Sequence, residues 1–186
     1  VGDHHDEALT EALGLSQRLG MLGSRPVVEV IDQATAYVEA LDAVGLTGGV
    51  VVDLGSGGGV PGLVIARQRP ALQLVLVDRR ATRTDHLRRL VVRLGLTGRV
   101  EVLTADAALL PRLIPTPVAA VVARGFGPPA ELLAVAVPLV DPGGVVIVSE
   151  PPAPDPSRWP AGLLDGLGME RVAHHDPRVA VLLRTA

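Results

Sequence analysis

The 186 residues contain no cysteine and no lysine, and aromatic side chains make up only 2% of them. Without cysteine there are no disulfides, thiolate metal sites or thiol nucleophiles, a state compatible with a reducing compartment. All seventeen basic residues are arginines, which removes lysine Schiff bases, a Walker-type lysine and a lysine general base. With so few aromatics in a chain that is 48% hydrophobic, the core must be packed with Val, Leu, Ala and Ile. No apolar run reaches membrane-spanning length, because Gly, Pro or a charge interrupts each one. The formal net charge of −3 provides no global basic field, so any nucleic-acid contact must use a local patch. Residues 1–7 are polar and acidic, unlike a signal peptide; lacking an initiator Met, the chain is expected to miss some N-terminal sequence. These features predict a cytoplasmic monomer with no membrane partner and one core.

Residues 7–41 carry apolar side chains at three- and four-residue spacing, which predicts helix broken over 20–26, with Pro26 suited to a first helical turn. From residue 50 the rhythm changes. Short apolar runs such as 50–52 and 74–77 read as strands buried on both faces, and strands are predicted at 50–54, 73–77, 100–103, 118–122 and 145–148. Helices are predicted over 62–69, 80–94 and 129–137, and a short helical turn over 106–110. Strands and helices alternating at this pitch give a parallel, doubly wound α/β sheet with right-handed crossovers. After a Pro-rich span at 151–156 and a short helix around 159–167, strands at 168–173 and 179–183 predict an antiparallel edge. Residues 1–45 are expected to form an N-terminal helical cap on a sheet domain at 46–186.

The strongest local signal is strand, Gly-rich turn, helix: Asp53-Leu54-Gly55-Ser56-Gly57-Gly58-Gly59, then Val60-Pro61-Gly62. Glycines permit a sharp turn and let a ligand touch the main chain. A phosphate-binding P-loop would end in Gly-Lys-Ser/Thr, which is absent, and a dinucleotide fingerprint would need glycine where Val60 stands. The spacing Gly-x-Gly-x-Gly with Asp53 just ahead suits a cationic ligand bearing an ammonium and a sulfonium, namely S-adenosylmethionine. Asp78 closes the second strand about twenty residues on, the spacing one βαβ unit imposes, where a carboxylate can accept both ribose hydroxyls.

The segment 52–63 resembles the first motif of the small-subunit ribosomal RNA methyltransferase G family, also called glucose-inhibited division protein B. The likeness continues through Val77-Asp78-Arg79-Arg80 with Arg83 and Leu87, Val100-Glu101-Val102, and Val121-Val122-Ala123-Arg124-Gly125-Phe126, over roughly residues 45–150. The resemblance implies a class I methyltransferase: a Rossmann-like, seven-stranded, mostly parallel sheet with an antiparallel last strand. It implies methyl transfer from S-adenosylmethionine to guanine N7 in 16S ribosomal RNA, with that RNA or the 30S subunit as partner. Gly55, Ser56, Gly57 and Gly59 would line the methionine and ribose side, with Asp78 and Arg79 at the ribose. Ala105-Asp106-Ala107 would meet the adenine, and Arg124 would stand at the methyl acceptor. Guanine N7 carries no proton, so no general base is required; an arginine can donate to O6 or a phosphate while leaving N7 free. The family's Lys-Gly after the fifth strand is replaced by Ser149-Glu150-Pro151-Pro152, which exchanges a cation for a carboxylate.

Other patterns carry less. Arg79, Arg80, Arg83, Arg88, Arg89 and Arg93 share one predicted helix, either a phosphate-contacting face or a solvated one. Phe126 could stack a flipped base or pack in the core, and Tyr37 and Trp159 are the other aromatics. His4-His5 and His174-His175 lack a third ligand, so no metal site is expected. Ser56 lacks the Gly-x-Ser-x-Gly elbow of a hydrolase. Acidic Glu150 and the low charge favour a second reading, a paralogue methylating a small molecule or another RNA; a cofactor-binding module without transfer is a third.

Overall fold

The computed structural model describes residues 6–114, 117–153 and 155–185. Helix α1 (Glu7–Arg18) starts where the Asp6 carboxylate accepts the Leu9 N–H at 3.0 Å, satisfying one of the orphan donors of the first turn. Pro26 stands one position ahead of α2 (Val27–Ala43) as its cap, with ψ 137°, rather than in its first turn. Strands β1 (Gly49–Leu54), β2 (Leu72–Asp78), β3 (Val100–Thr104) and β4 (Val118–Ala123) alternate with α3 (Gly62–Gln68) and α4 (Ala81–Arg93), and a 3₁₀ turn (Ala107–Arg112) precedes β4. Then come α5 (Pro129–Ala136), β5 (Val140–Ser149), α6 (Ala161–Asp165), β6 (Met169–Val172) and β7 (Val179–Arg184).

The sheet order is β3-β2-β1-β4-β5-β7-β6. β1 through β5 are mutually parallel, and β7 runs antiparallel to both β5 and β6. The expected antiparallel pair therefore inserts β7 between β5 and β6, so the edge strand is β6. β5 starts five residues earlier than its apolar run, at Val140, with a register irregularity between Val118 and Ala120 on its partner. The 3₁₀ turn continues through Pro111 and Arg112, two residues beyond the helical turn expected over 106–110.

Two apolar layers flank the sheet. On one face Val51, Leu74, Leu76 and Val122 meet α1, α2, α3 and α4, and on the other Val52, Leu54, Val75, Val77 and Val121 meet α5, α6 and the 3₁₀ turn. The period-two side-chain alternation of a strand divides one sequence run between two cores. α1 and α2 share the first core with the sheet itself. Two buried polar contacts fasten them: Ser16 Oγ and His86 Nε2 lie 2.8 Å apart, and the Tyr37 hydroxyl donates to the Ala123 carbonyl at 2.9 Å. No helix of the described residues is long and apolar enough to cross a membrane.

Candidate cofactor cleft

Strand order reverses at β1, whose neighbours are β2 and β4, so a crevice opens outside the carboxyl ends of these strands. It encloses about 330 Å³. Gly55, Gly125 and Phe126 form one wall, Val77, Asp78, Arg79, Arg80 and Arg83 the next, and Ala105, Asp106 and Ala107 the far end. Gly55, Asp78, Arg79, Ala105, Asp106 and Ala107 thus meet where the motifs place them. Arg80, Arg83 and Gly125 join them; all three lie in segments that carry the family resemblance, with no site role implied for them there.

Asp78 is 4% exposed and is held from three sides. Its Oδ2 accepts the Gly57 N–H at 3.1 Å and Arg83 Nη1 at 3.1 Å, and its Oδ1 accepts the Arg80 N–H at 2.9 Å. Gly57 presents its N–H from a left-handed conformation, φ 53°, which a side-chain-bearing residue adopts only under strain.

The remaining loop residues support the cleft from beneath. Ser56 is 1% exposed; its hydroxyl donates to the Asp53 carbonyl at 2.9 Å and accepts the Val77 N–H at 3.0 Å, which staples the loop to β1 and β2. A Cβ on Gly59 would point at Leu63 and Leu87, away from the cleft, and one on Gly58 would meet Leu22 of the α1–α2 turn. Asp53 is fully buried, its Oδ2 accepting the Gly62 N–H at 3.0 Å and its Oδ1 finding no partner among the described residues. Its carboxylate is thus aimed at the start of α3 and does not line the cleft wall. Burial pushes its pKa up to about 6, against the lowering effects of the Gly62 N–H and the nearby Arg124.

That shift has a measurable sign. The unfolded carboxyl titrates near 3.8 and the folded one about two units higher, so between those values the native state holds the proton and the unfolded state does not. Stability therefore falls as pH rises from about 4 to about 6, by on the order of 3 kcal/mol from this group. The difference in unfolding free energy between the wild type and Asp53→Asn, from urea midpoints across that window, should show this slope. A pH-independent difference would rule it out.

Arg124 follows β4 and is half-buried. Among the described residues it makes no hydrogen bond or ion pair, while lying near enough to Asp53 and Tyr37 to favour their charged forms. Phe126 is a partly buried member of the second core that also walls the cleft. Tyr37 is 2% exposed and provides no stacking platform. Nothing in the periodicity of α2 marks its bond to Ala123, 86 residues away.

Glu150 corrects an expectation. Its side chain is 3% exposed, and it accepts Arg158 Nη1 at 2.5 Å, Trp159 Nε1 at 2.6 Å and Arg171 Nη2 at 3.5 Å. The carboxylate is paired inside the C-terminal segment. The basic helix α4 is also partly paired, Arg88 with Asp85 and Arg93 with Glu11. Arg79, Arg80 and Arg89 make no side-chain ion pair among the described residues. His174 and His175 lie with ring centroids 4.5 Å apart, and no cluster of three metal-binding side chains occurs among the described residues; His4 and His5 lie outside them.

A doubly wound sheet with antiparallel β7 beside β5, a bare loop after β1 and a carboxylate closing β2 define the class I methyltransferase fold. A methyltransferase from Geobacter sulfurreducens superposes with a TM-score of 0.71 over 100% of this chain and 92% of its own, at 16% identity, a likeness of fold. The family model for rRNA small subunit methyltransferase G (GidB) matches residues 16–150, and the chain belongs to that family. The Ribosomal RNA small subunit methyltransferase G of Nocardioides sp. is 36% identical over 140 residues, 70% of this chain and 55% of that protein. That of Leptothrix cholodnii is 31% identical over 153 residues, 77% and 68% of the two chains. The chain thus spans little more than half the length of the first relative. The family match starts at Ser16, well before the loop motif, and so includes α2.

Proposed function

We propose that this chain is an S-adenosylmethionine-dependent methyltransferase that modifies guanine N7 in 16S ribosomal RNA. The observation that carries the reading is Asp78, a nearly buried carboxylate beside a loop stripped of side chains, at the crevice where the sheet reverses. The cleft suits a nucleoside: an acceptor for ribose hydroxyls on one wall, small Ala105 and Ala107 at the adenine end, and Gly55 bare beneath the chain that joins them. When bound, the cofactor supplies a methyl group on a sulfonium.

The protein's part is alignment and exclusion of water. Among the described residues Arg124 keeps its donors unengaged, so they are available to guanine O6 or a flanking phosphate while N7 stays open. The neutralised Glu150 removes one of the two features that favoured a different substrate. Membership of the ribosomal family supports RNA as acceptor.

The test joins binding and mapping. Calorimetry with S-adenosylhomocysteine should show saturable heat. A deletion strain should lose one N7-methylguanosine from 16S ribosomal RNA, and the wild-type gene should restore it. Arg124→Gln should keep cofactor affinity while transfer falls about a hundredfold, the cost of a misplaced acceptor. Persistence of the modification in the deletion strain would assign the substrate elsewhere.

A further inference from the structure

The hydrogen-bonding capacity of Asp78 is nearly used up before any ligand arrives. An ionised carboxylate offers about four lone-pair sites, and three are taken: Gly57 N–H and Arg83 on Oδ2, Arg80 N–H on Oδ1. A ribose held by both hydroxyls donates two hydrogen bonds. One incumbent must therefore leave. Gly57 and Arg80 donate from the main chain, one within the tight loop and one at the start of α4, so neither can withdraw without unravelling its element. Arg83 donates from the end of a flexible side chain that is 31% exposed, and it lies against the loop, 3.8 Å from where a Gly57 Cβ would stand.

Displacement has a second consequence. Asp78 is the side-chain partner of Arg83 among the described residues. Once released, the guanidinium stands at a rim already carrying Arg79 and Arg80, both exposed and without side-chain ion pairs among the described residues. Three cations then surround a cleft that in the empty state presents one of them neutralised. The chemistry that answers such a rim is a phosphate of the acceptor strand, which an arginine fork grips with two parallel bonds.

We propose that Arg83 is a ribose-displaced latch: it pairs with Asp78 while the cleft is empty and turns to an RNA phosphate when the cofactor is seated. RNA affinity is thereby coupled to cofactor occupancy. This rests on the cofactor reading above. The coupling is reciprocal, so RNA must tighten the cofactor by the same factor.

The experiment measures a fluorescein-labelled single-stranded RNA oligonucleotide by anisotropy, with and without saturating S-adenosylhomocysteine, alongside calorimetry of that nucleoside. In the wild type the nucleoside should tighten RNA about fivefold or more. It should also steepen the dependence of log Kd on log salt by about 0.7, one added phosphate contact on a single strand. Arg83→Gln should bring the ratio to one and remove the extra salt slope, with nucleoside affinity tighter because no ion pair has to be broken. Arg83→Lys, which keeps the charge and guards against a folding defect in the first variant, should retain most of the coupling. A bound nucleoside with an RNA ratio of one in the wild type, or coupling that survives in Arg83→Gln, overturns the latch alone. Absence of heat with the nucleoside overturns the cofactor reading, and the latch with it.

Discussion

Asp78→Ala is expected to weaken S-adenosylhomocysteine by about a hundredfold or more while leaving a folded protein. The ribose hydroxyls would lose two bonds to an ionised acceptor, and hydrogen bonds to charged groups are worth roughly 1.5–3 kcal/mol each, so about 3 kcal/mol is a lower bound. Within the protein the same change strands the Gly57 and Arg80 N–H groups and leaves Arg83 without its partner. The loop should therefore loosen, and the melting temperature should fall modestly. Calorimetry and thermal melts separate the two effects. Affinity within a few-fold of wild type, with the fold intact, would show that the carboxylate does not grip the sugar. Asp78→Asn is a useful companion, because it keeps an acceptor while replacing the other oxygen by a donor, and it should fall between the two.

Gly62→Ala should be among the most damaging single-methyl changes in the chain. A Cβ there would overlap Leu76 Cδ2 from β2 and lie 2.6 Å from Asp53 Oδ2, far inside any ordinary approach. Leu76 is fully buried and cannot retreat without opening the first core. The carboxylate cannot retreat either, because among the described residues it accepts a hydrogen bond from the Gly62 N–H alone and its Oδ1 has no partner. Overpacking of this kind costs about 1–3 kcal/mol, and leaving a buried polar group unpaired adds a similar amount. A total loss of about 3 kcal/mol should be seen as a lower urea midpoint at unchanged slope. Because both penalties run through Asp53, the double variant Gly62→Ala/Asp53→Ala should lose less than the sum of the singles. Strict additivity, or a loss under about half a kcal/mol, would contradict the geometry.

Much of this architecture is written locally. The apolar runs that become β1, β2 and β4 are short and largely buried on both faces, so both strand and parallel sheet follow from pattern alone, while β3 is an edge strand with Glu101 and Thr104 exposed. The loop after β1 and the Asp78 carboxylate are equally local, because one βαβ unit fixes the distance between them. Sequence patterning is weaker where a position answers to remote neighbours. β5 extends back to Val140 because β4 offers it a partner, not because residues 140–144 favour a strand. Tyr37 and Arg83 look like ordinary helical residues until α2 is laid beneath β4 and α4 beside the loop. Asp53 reads as a ligand to a cation, yet the close approach of α3 turns it inward to the Gly62 N–H. Glu150 reads as a charge at the cleft, and Arg158, Trp159 and Arg171 close around it.

By itself the sequence determined the α/β class, the strand-loop-helix that opens the cleft and the carboxylate at the end of β2, since these depend on residues a few positions apart and on side-chain periodicity. Tertiary structure alone decided which charges remain available. Asp53 and Glu150 are buried with donors brought from other elements, Arg83 is paired with Asp78 on the cleft wall, and Arg124 is left unpaired among the described residues. The physical reason is that a charge acts through its desolvation and its nearest counter-charges, and both are set by chain segments that spacing along the sequence does not bring into view.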